Sequence, residues 1–238
     1  MPLAKMVEPS RRAVTHPLRL RPVTPDTPTD ADQLVRDLLA QGSESRVDYK
    51  SAKQAPRDAR QRAELAKHVI GLSNRKDGGY LLIGVQDSTL VPVGLTEAQV
   101  ASWDAAGVNS WLAPFAAPAP VVQVFRGSLE DGKVLIALRV PPFDEQPLVC
   151  TKTVNDTDNK PITREGALYI RTEETRTREV STEAQMRELL GRAYVKRAER
   201  LLYEIKALID VHWPGGELPA VPGLVSLIEQ DLGEMRRP

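Results

Sequence analysis

Residues 80–86, Tyr-Leu-Leu-Ile-Gly-Val-Gln, form an almost unbroken apolar run directly after the turn Asp77-Gly78-Gly79. A run this short has the length of a strand, and without polar alternation it belongs at a sheet centre covered on both faces. The chain must therefore supply covering elements on two sides, and the preceding segment supplies one. Across residues 57–75, Ala63, Leu65, Ala66, Val69, Ile70 and Leu72 recur at helical spacing, while Arg60, Arg62, Lys67 and Arg75 occupy the rest of the circumference. This spacing predicts an amphipathic helix with Leu65, Val69 and Leu72 buried against the sheet.

The remaining chain extends the pattern. Thr29-Asp30 reads as a helix cap ahead of Leu34, Leu38 and Leu39, and Gly42 as the stop. Residues 46–51 alternate as a strand, so Asp48 and Lys50 share one face and Val47 and Tyr49 the other. Residues 96–112 read as one helix turning Val100, Trp103, Val108 and Trp111 inward. Residues 121–125 and 134–140 form a hairpin around the turn at 128–133. Short strands follow at 147–151 and 167–172, with a polar loop at 152–163 between them. Helical spacing then runs from Ser181 to about His212. Helices interleaved with a hairpin-containing sheet give an α+β (mixed α/β) class.

The 238 residues suffice for one domain and an appendage. A Pro-rich basic arm at 1–28 reads as disordered, the domain spans 29–182, and a helical extension spans 183–238 with a Pro/Gly linker at 213–222 and a small helix at 223–235. In the extension, Met186, Leu190, Ala193 or Tyr194, Leu201, Ile205 and Leu208 make one apolar stripe. It fits packing on the chain's own domain or a homo-oligomer contact through the 183–212 helix. Lys plus Arg equals Asp plus Glu at 32 each, so any attraction to nucleic acid must come from a local patch. Cys150 is the one cysteine, which excludes a disulfide framework and a Cys-based zinc site and suits a cytoplasmic setting. No apolar stretch approaches the length of a membrane span.

Several catalytic signatures fail. Gly127 to Lys133 fits the first seven positions of a phosphate-binding loop, but Val134 stands where Ser or Thr would ligate magnesium, and the segment lies between two strands. No nucleotide cofactor and no ATP hydrolysis are predicted. His16, His68 and His212 give no sign of converging. The informative group is acidic: Glu44 at the entry to the 46–51 strand, Asp48 within it, and Asp87 just past the central strand. Carboxylates at the ends of neighbouring strands can hold Mg or Mn. Equally, Asp48 can pair with Lys50 or an arginine while Glu44 is solvated and Asp87 forms a turn. Asn74, Gly78 and Gly79 read as a helix end and a tight turn, or as amides approaching a phosphate.

Read in order, these residues resemble the Schlafen AlbA-type domain family. The resemblance rests on Glu44-Ser-Arg-Val-Asp48-Tyr-Lys50, Ile70-Gly-Leu-Ser-Asn74, Gly78-Gly79-Tyr-Leu-Leu-Ile-Gly84-Val-Gln-Asp87 with the later Gly94, and the distal Gly166-Ala-Leu-Tyr169-Ile-Arg171. It covers roughly residues 30–190 and implies an α/β domain that binds DNA or RNA. In vertebrate members three acidic residues support metal-dependent cleavage of structured RNA. The resemblance thus implies an endoribonuclease alternative, with Asp48, Asp87 and Glu44 as metal ligands and Lys50 stabilising charge on the phosphate. Glu44 lies one residue closer to Asp48 than the family spacing, where Ser43 stands. A further alternative is an oligomerising regulatory protein with a vestigial site.

The best phosphate-attracting candidate is the stretch 50–77. It carries Lys50, Lys53, Arg57, Arg60, Arg62, Lys67, Arg75 and Lys76 against Asp58, Glu64 and Asp77. Such a stripe binds phosphates through counterion release. Of these, Lys53, Arg57, Arg60, Arg62, Lys67, Arg75 and Lys76, with Arg171, form the expected nucleic-acid-binding set, on a basic helix face. The stretch itself has no interleaved aromatics, so the sequence does not support base stacking there.

Overall fold

The computed structural model describes residues 28–42, 46–53, 55–86, 89–172 and 174–212. Residues 1–27 of the basic arm, Glu44, Asp87, the 213–222 linker and the 223–235 segment lie outside them. The elements are α1 (Pro28–Gln41), β1 (Val47–Lys50), α2 (Ala59–Ser73), β2 (Gly79–Ile83), α3 (Glu97–Ala101), α4 (Ala105–Leu112), β3 (Ala116–Ala117), β4 (Gln123–Ser128), β5 (Val134–Val140), β6 (Val149–Cys150), β7 (Val154–Asn155), β8 (Pro161–Thr163), β9 (Tyr169–Arg171), β10 (Thr177–Glu179) and α5 (Glu183–His212).

A four-stranded sheet in the order β1-β2-β5-β4 forms the centre. β1 runs parallel to β2 with Asp48 opposite Leu81, and the other pairings are antiparallel. Within the apolar run, Leu81 to Val85 are buried on both faces, as the lack of alternation requires, while Gln86 at its end is exposed. Leu81 and Ile83 pack with Leu65, Ala66, Val69 and Leu72 of α2. Leu82 and Val85 pack with Val35 and Leu38 of α1. Asp48 and Lys50 point to the α2 side, whereas Val47 and Tyr49 enter the α1 cluster.

Three local expectations are corrected. Residues 96–112 are two helices, because Asp104 caps α4 by accepting from the amides of Ala106 and Gly107. The 152–163 loop contains the small hairpin β7–β8, and β10 pairs with β9. Strands of two or three residues show too little alternation to be read from sequence. The α5 stripe is displaced: Leu189 is fully buried against Ile70, Phe143 and Tyr169, with Ala193 beside it, whereas Leu190, Tyr194, Leu201 and Ile205 are exposed. One helical position is about 100° of rotation, and Leu189 fills the third cluster. Lys196 Nζ, donating to the Phe143 carbonyl at 2.6 Å, fixes that orientation.

A buried polar clamp joins α2 to the distal strands. Asn74 Nδ2 donates to the carbonyls of Leu148 and Tyr169, both at 2.9 Å, and Oδ1 accepts from the Leu148 amide at 2.8 Å. Gly78 next to it has φ +68°, and a Cβ there would lie 2.2 Å from the Val140 carbonyl oxygen. These two residues serve the architecture.

A cationic cleft at the open edge of the sheet

β1 is the edge strand, and α2 and the β9–β10 hairpin cover its Asp48 face. The hairpin comes close because position 71 of α2 is glycine: a Cβ there would meet Thr177 Cγ2 at 2.6 Å. That approach brings Thr177 Oγ1 within 3.3 Å of His68 Nδ1. Arg171 reaches the sheet edge, where its Nη2 donates to the Val47 carbonyl at 3.2 Å.

Asp48 stands at the centre. Its Oδ1 lies 3.2 Å from Arg171 Nη2, and its Oδ2 lies 3.0 Å from Lys50 Nζ and 2.9 Å from His68 Nδ1. The Arg171 side chain is 2% exposed and that of Asp48 9%. Burial alone would raise the Asp48 carboxyl, but the His68 N–H beside it and the neighbouring charges of Lys50 and Arg171 hold it well below the usual carboxylate range. Burial pushes the His68 imidazole down, Asp48 opposes, and Lys50 and Arg171 reinforce the fall. A neutral ring with its proton on Nδ1 turns that N–H toward Asp48 Oδ2 at 2.9 Å and Thr177 Oγ1 at 3.3 Å, and leaves Nε2 to face Lys50 Nζ at 3.4 Å.

The network opens into a cleft of about 400 Å³, where Arg176, Thr177 and Arg178 join Asp48, Lys50, His68 and Arg171. Asp48 is the one carboxylate lining it among the described residues, against four side chains of fixed positive charge. Such a lining suits a phosphate. It suits a divalent cation poorly, because both Asp48 oxygens already face cations or an N–H donor. Among the described residues no cluster of three or more His, Cys, Asp or Glu side chains could hold a metal.

Of the sequence-derived site residues, Asp48, Lys50 and Arg171 meet here, and the others are placed as follows. Arg60 pairs with Glu64 at 3.3 Å. Arg62 lies over the Trp111 ring of α4 at 5.9 Å, and Lys67 Nζ over the Tyr169 ring of β9 at 5.3 Å. Five residues along a helix are about 140° of rotation, so the basic stretch wraps α2 and does not form one face. Arg75 is partly buried near Arg46, Arg171 and Asp77. Lys53 is half-exposed, and Arg57 and Lys76 are exposed. His68, Arg176, Thr177 and Arg178 escaped the sequence reading. One available signal was Gly71, a glycine inside a strong helix, which marks close approach of another chain segment.

The family described as Schlafen, AlbA_2 matches residues 44–180. Comparison with curated proteins gives no match. Among solved structures, the DIP2311 protein from Corynebacterium diphtheriae is similar at 20% identity with a TM-score of 0.40, covering 64% of this chain and 30% of its own. The N-terminal domain of a RecG-related protein from Nitrosomonas europaea is similar at 24% identity with a TM-score of 0.38, covering 64% of this chain and 95% of its own. The chain thus spans less than a third of the Corynebacterium protein. Among the described residues, no helix is long and apolar enough to cross a membrane.

Proposed function

The chain belongs to the Schlafen, AlbA_2 family, and on that premise we propose that it binds nucleic acid, with the phosphate backbone seated in the Asp48 cleft. The observation that carries this is the cleft lining of Lys50, Arg171, Arg176 and Arg178 against one carboxylate. Asp48 holds Lys50 and Arg171 in place, and His68 fixes Lys50 from the other side. The exposed Arg176 meets the polyanion first, with Arg178 beside it held by an exposed ion pair to Glu174 at 3.1 Å. Release of counterions from the phosphates then supplies the affinity.

Metal-dependent cleavage of structured RNA through Glu44, Asp48 and Asp87 is the enzymatic alternative that the family implies. A Mg or Mn ion on Asp48 would have to displace Lys50 or His68, so the described donor set favours binding without cleavage.

Fluorescence anisotropy with labelled DNA and RNA, single-stranded and duplex, across a salt series tests the proposal. Affinity should fall steeply with salt, and Arg176→Ala with Arg178→Ala should flatten the slope on single strands by about 1.4, two contacts' worth. Unchanged binding in that double variant would overturn the cleft assignment. Cleavage that appears with Mn or Mg and vanishes in Asp48→Asn would establish the enzyme in place of the pure binder.

A further inference from the structure

A second cleft, sharing no lining residue with the first, lies between the first turn of α2 and α4. Its volume is about 540 Å³, within the range of small-ligand sites. Arg62, Ser110, Trp111 and Lys152 line it, and no carboxylate does among the described residues. The two cations are held by aromatics: Arg62 over Trp111 at 5.9 Å, and Lys152 Nζ over the buried Phe115 ring at 5.4 Å. Neither forms an ion pair with a described residue, unlike Arg60, which Glu64 neutralises. Trp111 is half-buried, and no described residue accepts a hydrogen bond from its indole N–H.

The backbone fixes this arrangement. Arg62 Nε donates to the Pro56 carbonyl at 3.4 Å, which ties the side chain beside the cleft it lines. Lys152 is anchored through its carbonyl, which accepts from Thr163 Oγ1 at 2.8 Å. Next to it, the Thr151 amide donates to the Phe115 carbonyl at 3.0 Å. The half-buried Trp111 ring carries Arg62 over it and shares the cleft with Lys152, both cations without ion-pair partners among the described residues; single-stranded nucleic acid suits such a pairing, because a base stacks on the Arg62–Trp111 pair and its phosphates meet the charges. Duplex bases are already stacked and cannot use the ring.

We propose that the cleft of Arg62, Trp111 and Lys152 is a base-stacking subsite that gives the protein a preference for single strands. The proposal rests on the nucleic-acid reading above and adds a site and a strand class to it. The ring and the charges come from three separate segments. For that reason the basic stretch alone, which has no aromatics, gave no hint of stacking.

The test is anisotropy on the full chain with fluorescein-labelled oligothymidine about twelve nucleotides long, a duplex of the same length, and AMP as competitor. Trp111→Ala should weaken single-strand binding about tenfold, the equivalent of one stacked base, and Trp111→Phe should retain most of the affinity. Arg62→Gln with Lys152→Gln should flatten the single-strand salt slope by about 1.4. Duplex affinity should change less than about twofold, because it does not use the ring. Trp111 also touches the core, so if Trp111→Ala fails to fold, the Phe and double-Gln variants decide. Wild-type affinity for the oligonucleotide in the folded double-Gln variant would overturn the subsite. AMP competing as well as the strand would assign the cleft to a mononucleotide and overturn the strand preference. If Arg176→Ala with Arg178→Ala weakens binding while these variants do not, the subsite alone fails. If the wild type binds no nucleic acid, both readings fail.

Discussion

Arg171 of β9 and Asp48 of β1 form a buried pair at 3.2 Å, and the same guanidinium nitrogen donates to the carbonyl of Val47 next to Asp48. One side chain thereby closes the exposed edge of the sheet, neutralises a buried carboxylate and orients the floor of the cleft. Two of the family landmarks, the β1 motif and the distal Tyr169-Ile170-Arg171, are the two halves of this contact.

Breaking one half should cost far more than removing both. Arg171→Leu leaves a buried carboxylate short of a cation, and a loss of about 3–5 kcal/mol is expected. Arg171→Leu combined with Asp48→Leu should recover most of it. Urea unfolding of the two single variants and the double variant measures the coupling. Additive losses would show that the pair is not energetically linked.

Asn74 is fully buried and makes three hydrogen bonds, two to Leu148 just before β6 and one to Tyr169 of β9. Asn74→Ala strands an amide and two carbonyls away from water, at a cost on the order of 4 kcal/mol. Asn74→Asp should be at least as damaging at neutral pH, because a carboxylate cannot donate to the Leu148 and Tyr169 carbonyls. Thermal melts followed by circular dichroism would show either loss.

Gly78 and Gly132 share positive φ values, +68° and +79°, but differ in space. Gly132→Ala meets nothing within 4 Å and should cost about 1–2 kcal/mol for the left-handed backbone alone. Gly78→Ala adds a collision with the backbone of Val140, Pro141 and Pro142, so its loss should clearly exceed that of Gly132→Ala. Equal losses in denaturant titrations would contradict the close approach.

His68 predicts a pH dependence. Its folded-state value lies below the ordinary 6.5, chiefly through burial, so below pH 6.5 the unfolded chain binds the proton first. Stability therefore falls as pH drops through that window, with a limiting slope of about 1.4 kcal/mol per pH unit for one proton. Asp48, depressed from 3.8, adds a second loss only in stronger acid. His68→Gln should remove the first loss while keeping a donor for Asp48. Unfolding free energies at about pH 7.5 and about pH 5.5 would show it, and an equally steep fall in the variant would exclude His68 as the source.

Where burial follows a local period, the sequence alone determined the outcome. The run at 80–86, the stripe of α2 and the alternation of β1 each specify their buried face within a few residues, and the 127–134 segment lies in and after β4 at the hairpin turn its strand flanks required. The site was only partly legible. Asp48 and Lys50 shared a strand face by simple alternation, and an arginine partner for Asp48 was among the readings left open. That this arginine is Arg171, that His68 completes the network, and that Trp111 lies beside Arg62 were decided by tertiary structure. Periodicity says which side of an element is covered, but it carries no information about which distant element covers it. That choice depends on loop paths and on close approaches such as the one Gly71 permits. For the same reason α5 docks through Leu189 and leaves Leu190 in solvent: the stripe of Leu190, Tyr194, Leu201 and Ile205 is the more apolar on the helix, yet the packing of Ile70, Phe143 and Tyr169 takes Leu189 and Ala193 instead.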